Sequence, residues 1–254
     1  MTTFVLVHGG AMTGRFWDRL LPHLERPAVA PDLPGRAGKP ADPMTFTIDD
    51  GVQSIVGDVR AAVPDDVLVL VAHSSGGLFA PGIAAALGEQ VGHIVLDVAQ
   101  VPPDGGTGLE AMKTSHRERI IAGMDWARSE GRVLTTPGPE APEKVREAYG
   151  GDALSDEEVA FMTDPTVCVE DSINFYFQPV HWGSVPDVPV TYVRHRRDRP
   201  TPPDLQDANI ARLEAMGRRP AVVELDCGHI PAVTDPEQLA GILNRIASEC
   251  EAQR

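Results

Sequence analysis

The residues best suited to chemistry lie where an apolar run, residues 67–72, passes into a His-Ser-Ser-Gly-Gly turn followed by a helical pattern. A serine at a sharp turn between a strand and a helix is held in a strained conformation with its hydroxyl exposed. Such a turn requires small residues two positions before and after the serine, and Ala72 and Gly76 meet that requirement for Ser74. The spacing predicts that Ser74 is a nucleophile, since Ser75 fits the same frame less well.

A nucleophile on such a turn needs a rigid sheet beneath it, and short apolar runs recur along the chain. They lie at residues 4–7, 28–30, 67–72, 94–98, 188–193 and 222–225. Nearly continuous apolar runs are typical of strands buried on both faces of a parallel sheet. Helical patterns occupy residues 16–24, 48–63, 77–87, 205–216 and 236–249. The alternation predicts an α/β fold with a mostly parallel central sheet of about six strands, flanked by helices.

One interval breaks this alternation, because residues 99–187 far exceed the roughly two to six residues of an ordinary crossover loop. A Gly- and Pro-rich segment at residues 102–108 opens the interval and is typical of a flexible entry loop. Helical patterns follow it at residues 109–130, 141–149, 156–162 and 169–177. We therefore predict an α/β core at residues 1–100 and 187–254, with a helical cap inserted at residues 101–186.

Four short motifs stand in the order found in α/β-hydrolase-fold enzymes. They are Val7-His8-Gly9-Gly10, Asp32-Leu33-Pro34-Gly35, Ala72-His73-Ser74-Ser75-Gly76-Gly77 and Cys227-Gly228-His229. The chain resembles this superfamily over nearly its whole length, and within it the compact branch of esterases, lactonases and hydroxynitrile lyases. The resemblance implies an oxyanion hole formed by the backbone N–H groups of Gly10 and Ser75. Because glycine lets the backbone approach a ligand closely, His8 and Gly9 are predicted to contact the substrate.

The resemblance also implies the partners of Ser74. His229, after the last apolar run, stands where this fold carries its general base, whereas other histidines such as His195 are expected to be structural or solvated. Two carboxylates remain candidates for the residue that orients the base. Asp198 preserves the order serine, acid, histidine and is preferred, but some members of the superfamily place the acid at the position of Asp97.

Several further side chains near these positions have two interpretations. Four arginines flank Asp198 in the sequence, namely Arg194, Arg196, Arg197 and Arg199. They form either a solvated loop paired with surface acids, the favoured reading, or a site for a substrate carboxylate or phenolate. Within the predicted cap, Phe175, Phe177 and Trp182 are candidates to line an apolar substrate pocket, although most cap aromatics are expected to pack against one another.

Composition narrows the possible partners. A net charge of −15 repels nucleic acids and anionic membranes, so a small-molecule substrate is expected. Only three cysteines occur, and residues 1–7 show neither a basic leader nor an apolar span, so we expect a cytoplasmic protein. We expect it to be a monomer or homodimer. Zinc-type spacings and phosphate-binding glycine loops are absent from the sequence, which implies neither a metal nor an organic cofactor.

These features together predict a serine-dependent hydrolase acting on a small apolar ester or lactone. The same constellation also supports carbon–carbon cleavage, cyanohydrin lysis and cofactor-free oxygen chemistry in relatives, so a non-hydrolytic enzyme is the alternative. Hydroxynitrile lyases of this branch carry a lysine near the base, and Lys39, Lys113 and Lys144 lie elsewhere. A receptor that has lost one member of the triad is disfavoured, because all three members are present.

Overall fold

A computed structural model of the protein describes residues 1–136, 138, 140–149 and 153–252. Its strands, in chain order, are β1 (Thr2–Val7), β2 (Ala28–Val29), β3 (Val67–His73), β4 (Val91–Asp97), β5 (Thr135–Thr136), β6 (Asp171–Ser172), β7 (Val190–His195) and β8 (Ala221–Leu225). Six of these strands form one parallel sheet in the order β2-β1-β3-β4-β7-β8, and β5 and β6 form a small antiparallel pair. The predicted parallel sheet of about six strands is confirmed.

Helices follow most of the strands. They are α1 (Ile48–Ala62), α2 (Ala80–Leu87), α3 (Thr114–Ser129), α4 (Pro142–Ala148), α5 (Asp156–Met162), α6 (Pro203–Ala215), α7 (Pro231–Thr234) and α8 (Pro236–Ala252). Short 3-10 turns occupy Gly14–Trp17, Leu21–His23, Ser74–Leu78, Gly88–Gln90, Gly108–Ala111 and Asn174–Phe177. Within the described part of the chain, no helix combines the length and the apolar character needed to cross a membrane.

The inner strands β1, β3, β4 and β7 are buried on both faces, whereas the edge strands β2 and β8 are partly exposed. Successive side chains of a strand point in opposite directions. In β1, Val5 contributes to the apolar cluster that contains Ile55 of α1. Leu6, the next residue, contributes to the cluster on the other face, which contains Leu243 of α8. Helices on both sides therefore hold the strands rigidly, as the continuous apolar runs predict.

Two helical predictions are wrong. Residues 16–24 form the separate turns Gly14–Trp17 and Leu21–His23, since Pro22 lacks the N–H group that a continuous helix would use. Residues 169–177 contain β6 and the turn Asn174–Phe177, because the backbone there pairs with β5 and with the loop after β1. Long-range pairing overrides the local helical pattern in this segment.

Between β4 and β7 the chain carries α3, α4, α5 and the β5–β6 pair. This region occupies the place of the predicted insertion. Its status as a separate cap with boundaries at residues 101 and 186 stays a prediction. Residues 137, 139 and 150–152 of the interval lie outside the described residues. The predicted helix at 141–149 corresponds to α4.

Packing at the turn after β3 leads to a stability prediction. A β carbon on Gly76 would lie 2.7 Å from the carbonyl oxygen of His8 and 2.9 Å from that of Val7. Both are backbone atoms of a buried segment, so we expect Gly76→Ala to lower the free energy of unfolding by about 1–3 kcal/mol. Chemical denaturation measures this change.

The matched control is Gly57→Ala on the exposed side of α1, where an added β carbon meets no atom within 4 Å. Alanine favours a helix interior over glycine, so this variant should gain about 0.5–1 kcal/mol. A Gly76→Ala protein as stable as the wild type would contradict the close packing of the turn against the end of β1.

Candidate active site

The turn after β3 presents Ser74 to the outside of the sheet. Ser74 has a φ of 51°, in the left-handed region that is strained for any residue except glycine. Its backbone carbonyl accepts a hydrogen bond from Gln100 N at 2.8 Å, which helps to hold the strained turn. Ser74 is half-buried, whereas its neighbours His73 and Ser75 are buried. The serine is thus the accessible residue of the turn.

Two further polar side chains meet Ser74. The Oγ atom of Ser74 lies 3.1 Å from His229 Nε2, and His229 Nδ1 lies 2.5 Å from Asp198 Oδ2. An ionised carboxylate only accepts hydrogen bonds, so Nδ1 carries the proton and Nε2 is left to accept from the serine hydroxyl. Asp198 accepts a second hydrogen bond from Thr201 N at 2.7 Å. The structure therefore brings Ser74, His229 and Asp198 together in one hydrogen-bonded chain.

Parallel pairing places the two loops that carry Asp198 and His229 side by side. Beyond the paired strands β7 and β8, Arg196 N donates to Leu225 O and Arg197 N donates to Cys227 O, both at 2.9 Å. The sheet-like contact thus continues past the strand ends. It ends just before Asp198, whose side chain then reaches His229 from the neighbouring loop.

The surroundings of Asp198 favour its ionised form. Burial raises the pKa of this carboxyl, but the charge of His229 and the hydrogen bonds from His229 and Thr201 outweigh that effect and bring the pKa below its usual value. Burial, together with the nearby His229, lowers the pKa of His73 to about 4, so His73 is neutral. Its Nε2 lies 2.9 Å from the carbonyl oxygen of His229 and donates to it. His73 therefore supports the backbone of His229.

Asp97, the alternative acid, has a different partner in the structure. Its Oδ1 atom lies 2.8 Å from His195 Nε2, and both side chains are fully buried. The other ring nitrogen of His195 lies 3.8 Å from Asp198 Oδ2. The ring of His195 therefore lies between Asp97 and Asp198, but it is hydrogen-bonded to Asp97 alone. No spacing in the sequence indicated the contact between His195 and Asp97, because the two residues lie at the ends of two different strands.

The loop after β1 approaches the serine turn closely. A β carbon on Gly9 would lie 3.1 Å from Ser74 Cβ, and one on Gly10 would lie 3.0 Å from Ser75 Oγ. A side chain at either position would crowd these two serines, so glycine favours the close approach of the loop. Among the described residues, none accepts a hydrogen bond from the N–H of Gly10. Ser75 lies in the first turn of a helix, where N–H groups have no intrahelical partner, so both amides are available to a ligand.

His8 lies behind this loop rather than at its tip. Its Nε2 accepts a hydrogen bond from Leu33 N at 3.3 Å, so Nδ1 carries the proton and donates to Gly9 O at 2.8 Å. Burial, with the nearby Arg36, lowers the pKa of His8 well below its ordinary value. Both ring nitrogens are therefore used in joining two loops. The predicted contact of His8 and Gly9 with substrate stays a prediction.

The three aromatic residues predicted to contact the substrate differ in burial. Phe175 and Trp182 are only 1% and 2% exposed and belong to the apolar cluster that packs on the sheet. Phe177 is half-buried, with the guanidinium of Arg128 5.7 Å from its ring centre. Tyr176, another aromatic residue of this region, places its hydroxyl 3.1 Å from the β-carbon position of Gly10. The substrate contacts of Phe175, Phe177 and Trp182 stay predictions.

Two of the four arginines around Asp198 pair with acidic side chains at the surface. Arg194 contacts Asp207 at 2.7 Å and Glu224 at 3.0 Å. Similarly, Arg197 lies 3.5 Å from Asp226. Arg199 donates to the backbone carbonyl of Glu147 at 3.2 Å, and Arg196 is exposed. These contacts favour the interpretation of a solvated loop.

Comparison with known proteins agrees with this geometry. A model of the alpha/beta hydrolase family matches residues 4–242 of the chain. The chain therefore belongs to the α/β hydrolase family, and the fold and enzyme class predicted from the sequence are confirmed.

Individual relatives span nearly the same length. Lipase LipV of Mycobacterium tuberculosis is 28% identical over 252 residues, covering 93% of this chain and 90% of its own. Probable hydrolase R7 of a Phoma species is 26% identical over 250 residues, covering 96% and 97%. The structure of an extracellular alpha/beta-hydrolase from a Paenibacillus species superposes with a TM-score of 0.79 at 17% identity, over 96% of this chain and 98% of its own. At that identity the superposition establishes the fold alone.

Substituting each of the two candidate acids should lower kcat by a different factor. Asp198→Asn would leave His229 without the carboxylate that fixes its tautomer, so we expect kcat to fall on the order of 10⁴-fold. Asp97→Asn should cost far less, because Asp97 is hydrogen-bonded to His195 and not to His229. Steady-state kinetics of both variants on one ester, with circular dichroism to verify folding, makes the comparison. A larger loss for Asp97→Asn would transfer the orienting role to Asp97.

Proposed function

We propose that this protein is a serine hydrolase that cleaves a small apolar ester or lactone through an acyl-enzyme on Ser74. One observation carries the proposal, namely the unbroken hydrogen-bonded chain from Ser74 through His229 to Asp198 at the ends of β3, β8 and β7. The names of its relatives, a lipase and a probable hydrolase, agree with ester cleavage.

In the first half-reaction, Ser74 Oγ attacks the carbonyl carbon of the ester while His229 Nε2 takes the hydroxyl proton. The carbonyl oxygen gains a negative charge in the tetrahedral intermediate, and the N–H groups of Gly10 and Ser75 stabilise that charge. Collapse of the intermediate breaks the bond to the leaving alcohol, which receives the proton from His229. Ser74 then carries the acyl group.

In the second half-reaction, His229 removes a proton from water, which attacks the acyl carbon. The same two amides bind the second oxyanion. Its collapse releases the carboxylic acid and returns the proton to Ser74. Asp198 keeps its negative charge throughout, because it holds the tautomer of His229 and stabilises the imidazolium without accepting the proton. Every step uses side chains and amides of this chain and water.

We further propose that residues 101–186 act as a cap that determines which acyl groups enter. The region contributes Phe175, Tyr176 and Trp182 to the apolar cluster above the sheet. An apolar enclosure excludes water and favours uncharged esters or lactones. Because Phe175 and Trp182 are nearly fully buried, truncating them would also cost stability, so Phe177 is the better position for altering substrate choice.

Removing the nucleophile tests the proposal. Ser74→Ala should lower kcat on the order of 10⁴-fold or more, because the covalent route is lost while the fold is unchanged. The assay uses p-nitrophenyl esters of graded chain length and a set of lactones. Ser75→Ala is the matched control, since it removes the neighbouring hydroxyl but keeps the backbone N–H, and it should retain far more activity.

A serine-directed phosphonate followed by peptide mass spectrometry gives an independent readout. The adduct should lie on Ser74 in the wild type and be absent from Ser74→Ala. Turnover that survives in Ser74→Ala would exclude an acyl-enzyme on this residue. A wild-type protein that is labelled on Ser74, yet cleaves none of the esters or lactones, would contradict hydrolysis and favour a different reaction at the same site.

A further inference from the structure

A buried ion pair joins the loop after β2 to the inserted region. Arg36 Nη2 contacts Asp171 Oδ1, and the two side chains are only 1% and 4% exposed. Asp171 belongs to β6, between β4 and β7 in the chain, whereas Arg36 belongs to the first part of the core. Neither side chain takes part in the mechanism described above. A fully buried pair of opposite charges outside the triad therefore needs an explanation.

The pair holds the backbone of the loop that carries Gly10. Ala11 N donates to Asp171 Oδ2 at 2.9 Å, and Arg36 Nη1 donates to Met12 O at 2.6 Å. Ala11 has a φ of 56°, a left-handed conformation that a residue with a side chain adopts only when its surroundings impose it. The carboxylate thus binds the peptide group between Gly10 and Ala11, and the guanidinium binds the peptide group between Met12 and Thr13.

Backbone contacts extend this attachment. Val169 N donates to Ala11 O, and Thr13 N donates to Val167 O, both at 2.9 Å. Met12 and Cys168 form an antiparallel bridge between these two hydrogen bonds. The inserted region therefore pairs like a strand with the loop after β1, and the ion pair lies at the end of that pairing nearest Gly10.

Stability alone does not account for charges at this position. A buried ion pair is often no more stabilising than a well-packed apolar pair of similar volume. A carboxylate and a guanidinium do offer something that an apolar pair lacks, because they bind peptide groups in fixed directions. At Ala11 and Met12 those directions set the orientation of the preceding peptide, whose N–H belongs to Gly10.

We propose that Asp171 and Arg36 are positioning residues that aim the Gly10 amide at the oxyanion, an inference that rests on the function proposed above. The inserted region then takes part in the catalytic geometry rather than only in substrate choice. An oxyanion-hole donor acts on the charge that develops in the transition state. If the Gly10 N–H is misoriented, kcat falls while KM stays nearly unchanged, because the uncharged carbonyl of the bound substrate is stabilised little by this donor.

Two variants disturb the ion pair to different extents. Asp171→Asn keeps the shape and one acceptor oxygen but removes the negative charge. Asp171→Leu combined with Arg36→Met replaces both charged side chains by apolar ones, which keeps the interior free of an unpaired ion. We expect kcat to fall about 100-fold in the double variant and by a smaller factor in Asp171→Asn, with KM within about 3-fold of wild type. The inhibition constant of an aryl trifluoromethyl ketone, whose adduct carries an oxyanion, should rise in parallel with the loss of kcat.

The control is Glu157→Gln, which removes the ion pair between α5 and Arg19 at 2.8 Å. That pair also ties the inserted region to the core but does not touch the loop of Gly10, so kcat should be unchanged. A folded double variant with wild-type kcat, or one in which KM rises while kcat holds, would overturn the proposal. Should the double variant fail to fold, the near-isosteric Asp171→Asn decides by the same criteria.

Phosphonate labelling of the wild type separates this inference from the proposed function. Wild-type protein that turns over esters and is labelled on Ser74, together with unaffected Asp171 variants, would refute only the positioning role. Wild-type protein that shows neither turnover nor labelling would instead refute the hydrolase proposal on which the role depends.

Discussion

Parallel pairing along the central sheet is the constraint on which the site depends. In a parallel sheet all strands end at the same edge, so the residues that follow them meet there regardless of their separation in sequence. Ser74 follows β3, Asp198 follows β7 and His229 follows β8, with β4 between the first two. Backbone hydrogen bonds from Arg196 and Arg197 continue the β7–β8 pairing into the loops. The 2.5 Å contact between Asp198 and His229 is a consequence of that continuation.

Buried charges surround the serine turn on two sides, and each is paired. On one side Asp97 pairs with His195, which lies near Asp198. On the other, Asp171 pairs with Arg36 behind the loop of Gly10. An unpaired buried charge would be very costly, so such groups persist where their partners are fixed. The same low-dielectric surroundings strengthen every hydrogen bond that the site makes. Burial therefore both fixes the backbone around the serine turn and strengthens the hydrogen bonds of the site.

Local patterns were sufficient to predict the sheet and the position of the nucleophile. Apolar runs located the six strands of the parallel sheet, and the signal is strongest for the four inner strands, because a strand buried on both faces needs apolar residues at nearly every position. Small residues around Ser74 located the turn, because the strained backbone there excludes larger ones. The proximity of Asp198 to His229 followed from the resemblance to a known fold. Each of these signals lies within a few residues of the position it predicts, or in the order of motifs.

Contacts between distant segments had no such signal. Arg36 and Asp171 are 135 residues apart, and their pairing depends on how the inserted region lies over the loop after β1. The predicted helix at residues 169–177 failed for the same reason, since that backbone pairs with Ala11 and with β5. The sequence left His195 as either structural or solvated, and it could not indicate the contact with Asp97, which comes from another strand end. Local periodicity in the sequence does not predict contacts that form only through tertiary packing.

The central claim is that Ser74 carries the acyl group during turnover, and trapping that group tests it most directly. Wild-type protein is mixed with a short-chain p-nitrophenyl ester, quenched in acid during steady-state turnover, and digested for peptide mass spectrometry. We expect an early burst of about one p-nitrophenol per protein, with the acyl mass on the peptide that contains Ser74. Turnover with no acyl group on that peptide, or with the group on another side chain, would contradict the account.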